Sequence, residues 1–363
     1  MKRLKIGILT YHRAINYGAI LQSYALQTFL EQHGFDASFV DYWPEYHKSF
    51  YRIFNYPYFR GLSFKSKISY LFQTLSIGMG KYIKKRRFER FIGKRLNISH
   101  NCSFDIAIYG SDQIWRKQNY LGNTRRFNPI YFGNDEIIAP KKLAYAASMG
   151  HCEVNTADIE FLNSHLRNFS EVSVREDDLQ LLVQSCTSAK VALVVDPTLL
   201  VQRKVWDDLL DSKSRYVNDN YILFYRLQPI KEADTAVEAL SKKLGAKVYI
   251  VAGSPRPFNY SDSHKETVSV EDFLNLVANA RFVVTTSFHG LAMSIQFNRQ
   301  FFAFTTPITA NRLNSLLKSL QLSDRLNPSS IDCVNEINYN TVNTRLEELR
   351  EKSSSWLINA ISK

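Results

Sequence analysis

Twice along its length the chain runs from a short apolar stretch through a polar or glycine-bearing loop into helical periodicity, and then on to another apolar stretch. In the first cycle, residues 5–10 form the apolar run and residues 11–18 the loop. Ile20, Leu21, Tyr24, Ala25, Leu26, Phe29 and Leu30 then recur at helical spacing. Gly34 stops that helix as a C′ glycine would, and residues 35–42 read as the next strand. This is a βαβ unit, whose strands pair in parallel through a right-handed crossover. Residues 105–109, 143–148, 172–175 and 191–195 supply further strands, closed by Asp196-Pro197-Thr198 because proline is poorly placed inside a central strand. The second cycle runs from a strand at 221–225 through a helix near 231–244, a strand at 247–251 and a helix near 270 to a strand at 281–286.

The expected fold class is therefore α/β with two Rossmann-like lobes, residues 1–197 and 198–343. Residues 43–100 are aromatic and basic with weak periodicity, and read as an insertion holding one or two helices. Residues 344–363 end the chain as an amphipathic helix carrying Leu346, Leu349, Trp356, Leu357 and Ile361. By analogy with two-lobed transferases, that helix is expected to cross back onto the first lobe.

A length of 363 residues suits two cores better than one. No run of eighteen uncharged apolar residues occurs, so no transmembrane helix is expected. The apolar stretch after Met1-Lys2-Arg3 is too short for a signal h-region and reads as a first buried strand. Cys102, Cys152, Cys186 and Cys333 show neither a CxxC pair nor a disulfide framework, which places the chain in a reducing cytoplasm. The net charge of +12 is concentrated. Between Arg60 and Arg95 stand eleven Lys or Arg against the single acid Glu89, a net of +10. Such a block fits an anionic partner, a membrane surface or phosphorylated carrier, and equally a solvated helical face. No nucleic-acid motif accompanies it, so nucleic acid is not expected.

Four loop clusters stand at the carboxyl ends of the strands, where open parallel sheets bind ligands. Asn16-Tyr17-Gly18 precedes the first helix, where backbone N–H groups attract anions; an ordinary helix cap reads the same way. Neither GxGxxG nor GxxxxGK[ST] is present. In Gly110-Ser111-Asp112-Gln113-Ile114-Trp115, Asp112 could orient a hydroxyl or act as a base, and Trp115 could stack on a sugar. The alternative is a helix N-cap at Ser111 or Asp112. Arg175, in Val174-Arg175-Glu176, could fork onto a carboxylate or phosphate, or pair with its neighbour on the surface. Thr285-Thr286-Ser287-Phe288-His289-Gly290 puts a histidine at a strand-to-helix junction, a place suited to proton transfer near neutral pH. A lone histidine is more often structural. The other seven are scattered without HxxH, HExxH or DxD, so no protein-built metal site is expected.

These clusters carry a resemblance. Residues 7–27, Gly110-Ser111-Asp112-Gln113-Ile114-Trp115, Ala144-Tyr145-Ala146-Ala147-Ser148 and Ser173-Val174-Arg175-Glu176 occur in that order. Val195-Asp196-Pro197-Thr198-Leu199-Leu200 and Ser287-Phe288-His289-Gly290 follow them. In these motifs the chain resembles bacterial polysaccharide pyruvyl transferases from about residue 5 to about residue 320. Where that family commonly has asparagine after the tryptophan, this chain has Arg116, which bears on acceptor specificity. The resemblance implies a fold similar to the two-lobed architecture called GT-B, with the substrate cleft between the lobes. It implies phosphoenolpyruvate as donor, a glycan or lipid-linked oligosaccharide as acceptor, a pyruvyl ketal as product and no cofactor. By motif, His289 and Asp112 are the implied catalytic positions. Arg175 and Arg312 are the implied donor-binding positions; Asn16, Gly18 and Ser287, at the two loop-to-helix junctions, are expected to join them, and Trp115 and Tyr17 are the aromatics expected to hold the sugar. The alternative is a GT-B glycosyltransferase with a nucleotide-sugar donor, whose diphosphate would sit on Gly253-Ser254-Pro255-Arg256. Either enzyme is expected in the cytoplasm, with residues 60–95 able to touch the anionic inner face of the membrane.

Overall fold

A computed structural model describes residues 3–52, 54, 56–119, 125–253, 263–265, 267–306, 310–332 and 335–363. β1 (Lys5–Leu9), α1 (Tyr17–Gln32) and β2 (Asp36–Val40) form the opening crossover. Gly34 ends α1 with a φ of 84°, while Phe35 N donates back to the Leu30 carbonyl at 3.1 Å. The chain continues through α2 (Glu45–Phe50), α3 (Tyr56–Arg60) and α4 (Phe64–Arg95) to β3 (Ile98–Ser99) and β4 (Ile106–Tyr109). After β5 (Lys141–Ala147) come α5 (Thr156–His165), β6 (Glu171–Val174), α6 (Asp177–Ser185) and β7 (Val191–Leu193). The short helices α7 (Pro197–Leu200) and α8 (Arg203–Asp207) lead out of this sheet.

A second sheet is built from β8 (Tyr221–Arg226), α9 (Lys231–Leu244), β9 (Lys247–Ala252), β10 (Ser263–Lys265), α10 (Val270–Asn279) and β11 (Phe282–Thr285). α11 (Phe288–Gln296), β12 (Phe301–Ala303) and α12 (Asn311–Ser319) complete it, and α13 (Tyr339–Ser362) follows. The strand orders are β3-β2-β1-β4-β5-β6-β7 and β10-β9-β8-β11-β12, with parallel pairing throughout. Both sheets follow the Rossmann order, so each has a switch point, between β1 and β4 and between β8 and β11. The chain thus has the α/β fold with two Rossmann-like lobes.

The buried strands explain the parallel choice. β8 reads YILFYR, with its first five residues buried, because helices cover both faces of the sheet. One apolar core passes unbroken between the lobes, joining Ile20 and Leu21 of α1 to Leu199 of α7, Leu274 of α10 and Leu291 of α11. Each such side chain contributes about 1.5–3 kcal/mol when fully buried. Further cores back the first sheet, around Tyr109 and Phe132, and the second, around Phe224 and Val237. α13 lies along the first sheet: Val195 N donates to Ser353 Oγ (3.0 Å), Arg350 Nε to the Leu199 carbonyl (3.0 Å), and Lys141 Nζ to the Ile361 carbonyl (3.1 Å).

Residues 43–100 hold three helices and an edge strand rather than one or two helices. At two residues β3 is too short to show alternation, and at three residues β10 and β12 are little longer. Gly78 and Gly80 blur the periodicity of α4 without ending it.

Candidate active site

The loops after β1, β4, β8 and β11 converge on one cavity of about 330 Å³ at the meeting of the two switch points. Asn16, Asp112, Ser287, His289 and Arg312 line it, together with Tyr11, His47, Tyr51, Arg116 and Gln228. Five of the residues singled out from sequence therefore meet in one place.

Two helices point their N-termini at this cavity. Asn16 caps α1 by accepting from Ala19 N (3.2 Å), and Ser287 caps α11 by accepting from Gly290 N (3.4 Å). Neither first turn carries an acidic residue, which is true also of α3, α4, α7, α8, α12 and α13 but not of α5, α6, α9 and α10. The positive ends of α1 and α11 are thus left uncompensated by any side chain of their own first turns.

His289 stands in the first turn of α11, half-enclosed by α1. A Cβ placed on Gly18 would overlap the imidazole, so only glycine allows this approach. Gly18 therefore seats the histidine and is not among the cavity-lining residues. Replacing Gly18 with alanine should cost about 1–3 kcal/mol of stability through overpacking, measured by thermal unfolding. An unchanged midpoint would mean that α1 has slack to retreat.

Behind His289 lies a buried charge network. Its Nε2 is 3.7 Å from Asp196 Oδ2, with no hydrogen-bond partner of its own. Asp196 caps α7 and accepts from Ser111 Oγ (2.9 Å), Thr198 N (2.9 Å) and Thr198 Oγ1 (2.7 Å). Its main ionic partner is Arg175, which also donates to Ser111 Oγ at 3.2 Å. Arg175 Nη2 is 3.7 Å from Asp112 Oδ1, and its Nε is 3.5 Å from Glu176 Oε1. Burial opposes charge on Asp196, but Arg175 and then His289 outweigh it and hold the carboxyl well below the usual range. Burial likewise opposes charge on Arg175, and the three carboxylates overcome it. Glu176 goes the other way: burial raises it, though Arg175 and a 2.5 Å hydrogen bond from Ser148 Oγ resist.

This geometry corrects three expectations. Arg175 has 1% of its side chain exposed and is committed to Asp196, so it does not reach the cavity as a fork for a ligand. It is also no surface ion pair. Trp115 is fully buried, stacked on Phe132 at 5.1 Å, with its Nε1 donating to the Tyr131 carbonyl (2.9 Å). Tyr17 stacks on Phe273 at 4.5 Å and donates its hydroxyl to the Val268 carbonyl (2.9 Å), joining the lobes. Neither aromatic is among the residues that line the cavity.

Other side chains line the cavity. Arg312 enters from α12, which is held against α6 by Asn311 on Asp178 and by Asp177 N donating to Ser315 Oγ (3.0 Å). Its Nε is buried without a partner. Burial first, then the Arg175 cation, pushes its pKa down to about 10, which leaves it protonated at neutral pH. Tyr11, His47 and Tyr51 form an aromatic wall, with His47 edge-on to Tyr11 at 4.4 Å and Tyr11 donating to the Gln113 carbonyl (3.0 Å). Burial lowers His47 to about 4, so its imidazole is neutral at pH 7. Sequence reasoning missed His47 and Tyr51, which lie in the aperiodic insertion, and saw Asp196 only within a recurring motif. Among the described residues no group of three or more His, Cys, Asp or Glu is placed to hold a metal ion. Cys102, Cys152 and Cys186 are free thiols; Cys333 and residues 254–256 of the glycine–arginine loop lie outside the described residues.

A family model described as polysaccharide pyruvyl transferase matches residues 16–307. No curated protein matches the chain. Among solved structures, it is similar to the UDP-GlcNAc 2-epimerase of Methanocaldococcus jannaschii in complex with UDP-GlcNAc and UDP. That likeness has 12% identity, covers 99% of each chain and has a TM-score of 0.47. The glycosyltransferase SnogD of Streptomyces nogalater shows 9% identity over 99% of this chain and 100% of its own, with a TM-score of 0.47. The E. coli heptosyltransferase WaaC with ADP shows 12% identity over 95% and 100%, with a TM-score of 0.41.

Proposed function

Because the chain belongs to the polysaccharide pyruvyl transferase family, we propose that it transfers the pyruvyl unit of phosphoenolpyruvate onto two hydroxyls of a glycan or lipid-linked oligosaccharide, forming a ketal. The observation that carries this reading is the convergence on one cavity of two helix N-termini without acids in their first turns, of Arg312, whose Nε has no partner, and of His289. A small donor with a carboxylate and a phosphate matches that array of positive potential.

Arg312 and the start of α11 bind one of the donor's anionic groups, and the α1 terminus takes the other. Asp196 stands 3.7 Å from Nε2 of His289, and the imidazole, which lines the cavity, exchanges a proton with the bound donor. Protonation of the donor's methylene carbon makes a methyl group and an oxocarbenium ion at C2. The first sugar hydroxyl attacks C2 and gives up its proton, which returns the histidine to its protonated state. Phosphate then leaves with its bonding electron pair, taking up a proton, and regenerates an oxocarbenium ion. The second hydroxyl attacks and loses its proton to close the ketal. One hydroxyl proton thus replaces that delivered to carbon, and the other departs with phosphate. Asp112 is placed to orient or deprotonate a hydroxyl. The wall of Tyr11, neutral His47 and Tyr51 receives the sugar, with Arg116 at its rim.

The test is phosphate release from phosphoenolpyruvate with mixed bacterial lipid-linked oligosaccharides as acceptor, run beside UDP- and ADP-sugars as rival donors. Arg312→Gln should raise the apparent KM for phosphoenolpyruvate roughly 10- to 100-fold, the range of a lost charged hydrogen bond. Arg312→Lys should recover part of it. A donor titration unmoved by Arg312→Gln would remove that residue from donor binding.

A further inference from the structure

α4 bears a feature that the cavity does not use. Its second half is rooted in the core by Phe88 and Phe91, which are 0% and 1% exposed. Arg87 also donates to the Thr267 carbonyl of the second lobe. Its first half stands out from the body. There Phe64, Phe72, Leu75 and Met79 are 79%, 69%, 75% and 66% exposed, with Ile68 and Tyr82 also open to solvent. At 3.6 residues per turn these six positions share one face about 80° wide and run for about 27 Å along the axis. Soluble surfaces scatter single apolar residues; they do not align six on one helix. Lys65, Lys67, Lys81 and Lys85 occupy the same stretch, and no acid occurs in it before Glu89.

We propose that the first half of α4 is a membrane-docking element, lying in the plane of an anionic lipid surface with its apolar face inserted among the acyl chains. The charge pattern selects this occupant. A second copy of the chain would bring one basic helix against another, whereas anionic headgroups complement the lysines while the aromatic and aliphatic side chains enter the interface. No described helix is long and apolar enough to cross a membrane, so the contact is one of lying on the surface. The cavity-lining Tyr51 and this face of α4 belong to the same insertion, residues 43–100. The inference does not rest on pyruvyl transfer, since any acceptor chemistry is compatible with it.

Flotation of the full chain with vesicles of phosphatidylcholine alone, or of phosphatidylcholine and phosphatidylglycerol in equal parts, tests it. The protein should float with the anionic vesicles and not the neutral ones, and high salt should weaken binding. Lys65, Lys67, Lys81 and Lys85 changed together to Gln should lose about tenfold or more in partitioning. Phe72→Ser with Leu75→Ser should lose as much at unchanged charge, and both sites are exposed enough to spare the fold. Leu75→Trp should blue-shift and be quenched by brominated acyl chains when vesicles are added. Failure to float with anionic vesicles at low salt, or a Leu75→Trp signal indifferent to them, would overturn the proposal. So would a dimer in light scattering that the serine pair converts to monomer, because the face would then be a subunit interface.

Discussion

Replacing His289 with alanine should slow phosphoenolpyruvate-dependent phosphate release by a factor on the order of 10²–10⁴, the usual worth of a positioned general acid or base. The substitution should leave the fold intact. The imidazole has no hydrogen-bond partner at Nε2, and Gly18, which packs against the ring, gains only space when the ring is removed. The loss should fall on kcat more than on the donor's apparent affinity, since Arg312 and the helix termini remain. Circular dichroism matched to the parent, beside a stopped-assay rate, makes the distinction. Activity within a few-fold of the parent would take His289 out of the proton-transfer route.

Asp196→Asn should damage both stability and rate. The side chain is fully enclosed, accepts from Ser111 and Thr198, and faces the cation of Arg175 and the imidazole of His289. Asparagine keeps the shape but removes the charge, leaving Arg175 buried with weaker compensation from Glu176 and Asp112. Removing one partner of a buried pair commonly costs about 3–5 kcal/mol, a large share of a typical folding free energy. The pH dependence carries the signature. The carboxyl's folded-state pKa lies below its unfolded value, so its stabilisation is present above about pH 4 and fades as pH falls below that. The gap between parent and variant in urea titrations should therefore be widest near neutral pH and shrink in acid. A gap constant from neutral pH down into strong acid would show that the charge of Asp196 contributes nothing specific. Loss of imidazolium stabilisation should slow the reaction as well.

Much of the architecture was legible because parallel strands buried on both faces leave unmistakable apolar runs, and the helices between them keep a 3.6 period. β3 and β12 escaped notice for a physical reason: two or three residues cannot display a period. The cavity was legible in part. Asp112, Ser287 and His289 stand soon after strands and Asn16 heads the helix after β1, and strand ends of both switch points meet between the lobes. The direction of an aromatic side chain was not legible. Trp115 follows the same strand end as Asp112, yet turns inward to Phe132, and no local pattern separates a buried ring from an exposed one. Asp196 read as a strand terminator beside Pro197; its partnership with Ser111 spans 85 residues of sequence and exists only in the folded sheet. In sequence Arg175 fits a ligand fork or a surface pair equally, because one residue says nothing of the three carboxylates that enclose it.

The central claim is that the cavity protonates and transfers the carbon skeleton of phosphoenolpyruvate. Its most direct measurement is NMR of the saccharide product after incubating the enzyme with 2-¹³C phosphoenolpyruvate and lipid-linked oligosaccharides in deuterated water. The account predicts the label in a quaternary ketal carbon bearing a singly deuterated methyl group, with one phosphate released per ketal. Label remaining in phosphoenolpyruvate while a nucleotide sugar is consumed and its nucleotide released would contradict it.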